Sequence, residues 1–196
     1  MTMTTAQVLD VFRECDALLE GHFILSSGLR SPTFLQKAKV FMHADKTALL
    51  CSALADVIRS KIDGPIDFVV SPAVGGIIPG YETARYLGVP SMFVEREQGE
   101  FTLRRGFELP AGSRVVMVED VVSTGLSSRE CISCLQGLGA NVVAGACLVD
   151  RSAGEADIGV PLIALAEYKV PAYKPEDIPP ELAALPAIKP GSRGLS

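Results

Sequence analysis

The chain of 196 residues predicts an α/β fold, a twisted parallel sheet with helices on both faces. Two observations carry that prediction. The runs Ile66 to Val70, Arg114 to Val118 and Asn141 to Val149 are apolar with little polar alternation, which suits strands covered on both sides. Segments with apolar residues at helical spacing lie between them, and such alternation is the signature of parallel strands joined by crossover helices.

Taken in order, Thr5 is placed to cap a first helix. Val8, Val11, Phe12, Cys15, Leu18 and Leu19 recur there at helical spacing, and Gly21 is its stop. The segment from His22 to Phe34 predicts two short strands around a Ser-Gly turn. Asp45 to Lys61 predicts a helix with Leu49, Leu50, Ala53, Leu54, Val57 and Ile58 on its apolar face. After the turn Asp63-Gly64-Pro65 comes the strand Ile66 to Val70. A Gly-rich loop from Ser71 to Gly76 leads into a helix over Ile77 to Leu87, and a strand over Ser91 to Glu95 follows. Gly99 to Phe107 predicts a hairpin or excursion. Arg114 to Val118 predicts a strand, Leu126 to Leu138 a helix, and Asn141 to Val149 a last strand. Past Tyr168 the prolines 171, 175, 179, 180, 186 and 190 describe a tail packed on the surface.

Composition bounds the function. About half the residues are hydrophobic, and 21% are charged, which excludes global disorder. A net charge of −5 argues against a general nucleic-acid or membrane-surface binder, so an anion-handling site must gather its cations locally. The five cysteines, 15, 51, 131, 134 and 147, read as reduced thiols of a cytoplasmic protein. Cys131 and Cys134 form a lone C-x-x-C on one helix face and read as two small core side chains, not metal ligands. No signal peptide and no membrane span is expected.

Val115 to Ser128, VVMVEDVVSTGLSS, carries the chemistry. An apolar strand is followed by Glu119 and Asp120, then by a small-residue turn that opens a helix. Ligands of open parallel sheets sit beyond the carboxyl ends of strands. Ser123, Thr124, Gly125 and Ser127 can offer backbone N–H groups and hydroxyls to a phosphate at the helix N-terminus. Carboxylates repel phosphate, so the two acids are suited to ribose hydroxyls instead. Each feature alone is common; together they describe a ribose-5-phosphate pocket. The turn is neither a Walker A loop nor a dinucleotide-binding Gly-rich turn.

VVMVEDVVSTG resembles the signature of the type I phosphoribosyltransferases, which bind phosphoribosyl pyrophosphate. The resemblance implies that Glu119 and Asp120 hold the ribose hydroxyls and that Val121, Val122, Ser123, Thr124, Gly125, Leu126 and Ser127 wrap the 5′-phosphate. It also implies one domain over 1–196, with an N-terminal hood over about 1–40 and the tail over about 169–196. Ser71 to Gly76 resembles the family's pyrophosphate loop, with Ala73, Val74 and Gly75 at the substrate and a strained or cis peptide near Ala73–Val74. Within the family, FILSSGLRSPTF is similar to the entry motif of orotate phosphoribosyltransferases, and LVDRS, Leu148 to Ser152, to their Asp-Arg. On that likeness Phe34 and Ser26 lie at the base, Ser123 touches it, and Arg151 grips its carboxylate with two parallel hydrogen bonds.

The sequence departs from the pattern where cations are usual. Ser26 and Gly75 stand at positions where lysines are frequent, and FVEREQGEFTLRRGF lacks the lysines and histidine of the mobile loop. Arg96 becomes the expected catalytic cation beside Glu119 and Asp120, with Arg104 and Arg105 as substitutes. The resemblance further implies Mg²⁺ held mainly by substrate oxygens and water, no protein metal site, and a homodimer. Two other readings stay open: transfer to another base, such as a purine, and a non-catalytic ligand-sensing module on the same fold. A panel of bases, and a test for pyrophosphate release, separate them.

Overall fold

A computed structural model describes residues 3–25 and 28–190. Helix α1 spans Thr5–Glu14. Its cap is Thr4, not Thr5: the Thr4 hydroxyl accepts from the Gln7 amide, and the Gln7 side chain returns a bond to the Thr4 amide, a capping box. The helix also ends before Leu18 and Leu19. Asp16 enters the left-handed region (φ 50°) and Ala17 N–H donates to the Phe12 carbonyl, so the chain turns out of the helix there. Leu18 and Leu19 instead open strand β1, Leu18–Ile24, which pairs antiparallel with β2, Arg30–Leu35.

A short helix α2, Ala38–Phe41, precedes α3, Ala44–Lys61. The buried stripe of α3 is turned from the expected one: Leu49 is exposed while Cys51 and Ala55 are buried. Strand β3 runs Phe68–Pro72, two residues later than expected. At Asp67 the amide still donates to the Arg114 carbonyl (2.8 Å), but the Arg114 amide turns to the Asp67 carboxylate (2.7 Å) and not to a backbone carbonyl. Ser71 and Pro72 therefore belong to the strand and not to the loop. Helix α4, Ile77–Leu87, keeps its expected bounds and ends on Gly88, whose φ of 76° stops it.

Strands β4, Ser91–Glu97, and β5, Glu100–Leu103, form an antiparallel hairpin closed by Gln98 and Gly99, both at positive φ. Strand β6, Arg114–Val122, extends past the expected end at Val118 and contains both acids. Helix α5, Leu126–Gly137, strand β7, Asn141–Asp150, and strand β8, Leu162–Glu167, follow. The tail holds helix α6, Pro180–Ala183, and strand β9, Ala187–Ile188, which pairs parallel with β1. Sequence reading foresaw neither β8 nor β9.

Two sheets result. The larger has the order β5-β4-β3-β6-β7-β8, parallel except at the β5 edge, and the smaller, β2-β1-β9, joins the N-terminal hairpin to the tail. One face of the large sheet presents Val116 and Val118 to a core shared with α1 and α3; the other presents Val115 and Met117 to Cys131, Ile132 and Leu135 of α5. Cys131 is thus core, but Cys134 is only half-buried. The strand order reverses between β3 and β6, since β4 lies on one side and β7 and β8 on the other. A ligand crevice is expected at that reversal.

Candidate active site

The loops leaving β3 and β6 meet at the reversal. Period-two alternation along β6 sends Glu119 and Asp120 to opposite faces of the sheet. Glu119 shares the α5 side, where its carboxylate accepts from the Ser128 hydroxyl. Burial there pushes the Glu119 carboxyl above its ordinary range, and the Ser128 bond and Lys37 only partly counter this. Asp120 takes the other face and is 1% exposed.

Asp120 Oδ1 accepts from the Val121 amide at 2.6 Å and from Lys37 Nζ at 2.6 Å, whereas its Oδ2 is buried with no hydrogen-bond partner. The loop after β3 crosses directly over that oxygen. A Cβ built on Gly75 would lie 2.3 Å from Oδ2, and one on Gly76 would lie 2.9 Å from the Pro72 carbonyl oxygen. The glycine backbone passes so close that any side chain at position 75 would have to displace Asp120 or the loop. The Ala73–Val74 peptide bond is cis.

The turn after β6 is shorter than expected. Val121 and Val122 pair with Val149 and Asp150 in the ladder, leaving Ser123 to Gly125 as the irregular part. Ser123 and Thr124 are exposed, and Gly125, at φ 75°, is the N-cap of α5, whose first amides have no carbonyl partner within the helix. An anion is well served at that place. Leu126, the first residue of α5, is largely exposed, and Ser127 lies close enough to Glu119 to bond its carboxylate.

Arg151 follows β7, and its amide donates to the Val122 carbonyl (2.8 Å), which ties it to the end of β6. Its Nε is buried without a hydrogen-bond partner, and desolvation lowers its pKa. The neighbouring acids are engaged elsewhere: Asp150 accepts from the Ser152 amide and hydroxyl and the Gly154 amide, and Glu155 pairs with Lys169. A buried guanidinium nitrogen with no acceptor in the protein is suited to an anionic ligand. In the hood, Phe34 packs on Phe23 with ring centroids 5.8 Å apart. Ser26 lies outside the described residues.

The expected arginines stand elsewhere. Arg96 pairs with Glu130 of α5, donates to the Gly99 carbonyl (2.5 Å) and lies over the Phe101 ring. Arg105 forms two bonds with Glu95 (2.6 and 2.8 Å), and Arg104 lies 3.5 Å from Glu97. The cation held at the acid pair is Lys37, which sequence reasoning missed. No local signal separates it from its neighbour Lys39, since its partner is 83 residues away.

A sheet reversal with a small-residue turn opening a helix on one side and a glycine loop over a buried acid on the other fits a phosphoribosyltransferase. In agreement, residues 43–161 match the phosphoribosyl transferase domain family. Over 193 residues the chain is 67% identical to orotate phosphoribosyltransferase 2 of Mesorhizobium japonicum and equally to orotate phosphoribosyltransferase of Brucella ovis, in each case 98% of this chain and all of the relative. The crystal structure of orotate phosphoribosyltransferase from Aeropyrum pernix superposes with a TM-score of 0.71 at 28% identity, covering 82% of this chain and 93% of that one. The chain belongs to the orotate phosphoribosyltransferase family.

Proposed function

We propose that this chain transfers the phosphoribosyl group of phosphoribosyl pyrophosphate to orotate, giving orotidine 5′-phosphate and pyrophosphate in pyrimidine nucleotide synthesis. The observation that carries the reading is Asp120, a carboxylate buried at the end of β6 beneath the glycine loop with one oxygen unpartnered. Ribose hydroxyls supply the donors that this oxygen lacks. Glu119 completes the grip on the sugar, Ser123 to Ser127 take the 5′-phosphate, and Ala73 to Gly76 face the leaving pyrophosphate. Arg151 receives the orotate carboxylate, with Phe34 and Ser123 at the base; Arg96 stands beyond β3 as a second cation for pyrophosphate.

A ring nitrogen of orotate forms the new bond to C1, its N–H proton passing to the leaving pyrophosphate or to water, while the bond from C1 to the pyrophosphate oxygen breaks and its electron pair leaves with pyrophosphate. Positive charge builds on the ribose, so holding the sugar and neutralising the leaving group supply most of the rate. Among the described residues no group of three or more His, Cys, Asp or Glu could hold a metal ion. The hard carboxylate oxygens of Asp120 and Glu119 suit Mg²⁺ that arrives on substrate oxygens with water. When bound, Mg²⁺ supplies charge neutralisation to the leaving pyrophosphate.

Further parts of the proposal are a homodimer, in keeping with the exposed Val74, Ile78 and Tyr81 beside the glycine loop, and a cytoplasmic setting, in keeping with five free thiols. No helix among the described residues is long and apolar enough to cross a membrane. Pyrophosphate release measured with Mg²⁺, phosphoribosyl pyrophosphate and a panel of bases tests the reading. Orotate alone should support release, and release with adenine but not orotate would refute it.

A further inference from the structure

The acid at the centre of the site already holds a cation, and that cation comes from an unexpected place. Lys37 sits between β2 and α2 and reaches Asp120 with a 2.6 Å ion pair. Its side chain is 40% exposed while that of Asp120 is 1% exposed. The glycine loop, Ala73 to Gly76, carries no cation, and its backbone runs so close over the acid that a Cβ on Gly75 would meet Asp120 Oδ2 at 2.3 Å.

We propose that Lys37 is a substrate-contacting cation of the transfer reaction, which exchanges Asp120 for the pyrophosphate of the substrate when ribose hydroxyls replace it on Asp120. The inference rests on the phosphoribosyl-transfer reading and adds to it a condition for binding. Breaking a buried ion pair by removing one member leaves an uncompensated charge and is strongly unfavourable. Asp120 retains only the Val121 amide once Lys37 departs, and its Oδ2 has nothing already. Lys37 can leave, therefore, only as new donors arrive for the carboxylate. The lysine in turn needs an anion, which its flexible four-carbon stem can reach from a half-exposed position.

Both demands are met by one molecule, a ribose with free hydroxyls and an anionic group on the adjoining carbon. Pyrophosphate alone satisfies the lysine and strands the acid; a ribose phosphate alone satisfies the acid and strands the lysine. The arginines of the neighbouring hairpin impose no such condition. Arg96 and Arg104 pair with Glu130 and Glu97, which are 40% and 50% exposed and can be rehydrated when the arginine moves.

Calorimetric binding of magnesium pyrophosphate and of magnesium phosphoribosyl pyrophosphate to the full chain tests this. The set is the wild type, Asp120→Asn, Lys37→Met, Lys37→Arg and the Asp120→Asn/Lys37→Met double variant. Freed of its acid, Lys37 should bind magnesium pyrophosphate about tenfold or more tightly in Asp120→Asn, since hydrogen bonds to charged groups correspond to roughly 10- to 100-fold in affinity. That gain should vanish in the double variant. Lys37→Met should weaken phosphoribosyl pyrophosphate by a similar factor, and Lys37→Arg should restore most of it. A gain that persists without Lys37 reflects only the removed negative charge and overturns the proposal, as does wild-type affinity in Lys37→Met. Lys37 is half-exposed, so the Met and Arg variants decide the matter even if Asp120→Asn fails to fold. Full orotate-dependent turnover by Asp120→Asn would instead sink the ribose-binding role of Asp120, which separates the two failures.

Discussion

Replacing Gly75 by Ala adds one methyl group at the tightest point of the site. Its backbone lies outside the left-handed region, so alanine meets no conformational penalty and the whole effect comes from contact. The new Cβ would lie 2.3 Å from Asp120 Oδ2 and 3.2 Å from Cγ, and something must yield. If the loop moves, overpacking costs roughly 1–3 kcal/mol. If Asp120 rotates, it gives up the bonds from Val121 and Lys37, of which the second is charge-assisted and worth about 1.5–3 kcal/mol before discounting the half-exposed lysine. The cheaper route governs, so a loss of about 2 kcal/mol is expected. For a domain of this size that lowers Tm by about 4–8 °C. Either route misplaces the ribose acid or the pyrophosphate loop by ~1 Å, which is expected to lower kcat/KM about 10²-fold. Thermal melts and steady-state kinetics would be run on Gly75→Ala in the wild type and in an Asp120→Ala background. Removing the carboxylate should abolish the stability cost at position 75. Gly76→Ala is the control, because its new Cβ meets the Pro72 and Val118 carbonyl oxygens at 2.9 and 3.0 Å and should destabilise both backgrounds alike. An unchanged Tm for Gly75→Ala, or an equal loss with and without the Asp120 carboxylate, would refute the contact.

Arg151→Ala should raise the KM for orotate about 10- to 100-fold with a smaller change for phosphoribosyl pyrophosphate, and an unchanged orotate KM would remove the residue from the base site. Glu119→Gln should raise Tm at pH 8 while impairing turnover. The folded chain holds the Glu119 proton more tightly than the unfolded chain, so this group favours folding at low pH and that contribution is lost as pH rises through its elevated pKa. The gain from glutamine should therefore shrink as the melts are taken toward pH 4, and a gain that grows on acidification would contradict the burial argument. Burial pushes Cys51 up to about 12 and holds Cys131 and Cys147 well above the ordinary thiol value, so these should resist Ellman's reagent in the folded chain. Cys134, only half-buried, should react first; rapid loss of two thiols to a Cys131–Cys134 disulfide would overturn the core reading of the C-x-x-C.

What could be read in the sequence was what neighbouring residues decide. Helix α4 kept its bounds because a Gly-Gly loop precedes it and Gly88 follows it, and both signals are local. The turn between β6 and α5 was legible in outline for the same reason, as a strand, small residues and a helix start in unbroken order, although Val121 and Val122 proved to be strand. Features that depend on distant partners were not legible. Strand β9 is two residues long and exists because β1 offers it an edge, with His22 opposite Ala187. Arg96 was placed in the right segment, but Glu130, on another element, claims its guanidinium. Lys37 reads as one of two lysines flanking Ala38, and only the folded chain brings it to Asp120.

Ending β6 too early also hid how the acids divide the work. Drawn only to Val118, the strand leaves Glu119 and Asp120 side by side in a loop, where both would face one pocket. Drawn to Val122, it gives them opposite faces, and each face carries its own anion-facing structure. Glu119 shares the α5 side with Ser127, Ser128 and the phosphate turn; Asp120 shares the other with Gly75 and Lys37. On the proposed function, a ribose seated across the strand end would direct its 5′-phosphate to one side of the sheet and its pyrophosphate to the other. The strand would then keep the two most negative parts of the substrate apart, with Lys37 beside Asp120 on one face and the Ser127 and Ser128 hydroxyls beside Glu119 on the other. On that reading an acidic protein would bind a polyanion without a basic surface, because its cations and amides are split between two faces and need meet only at one strand end.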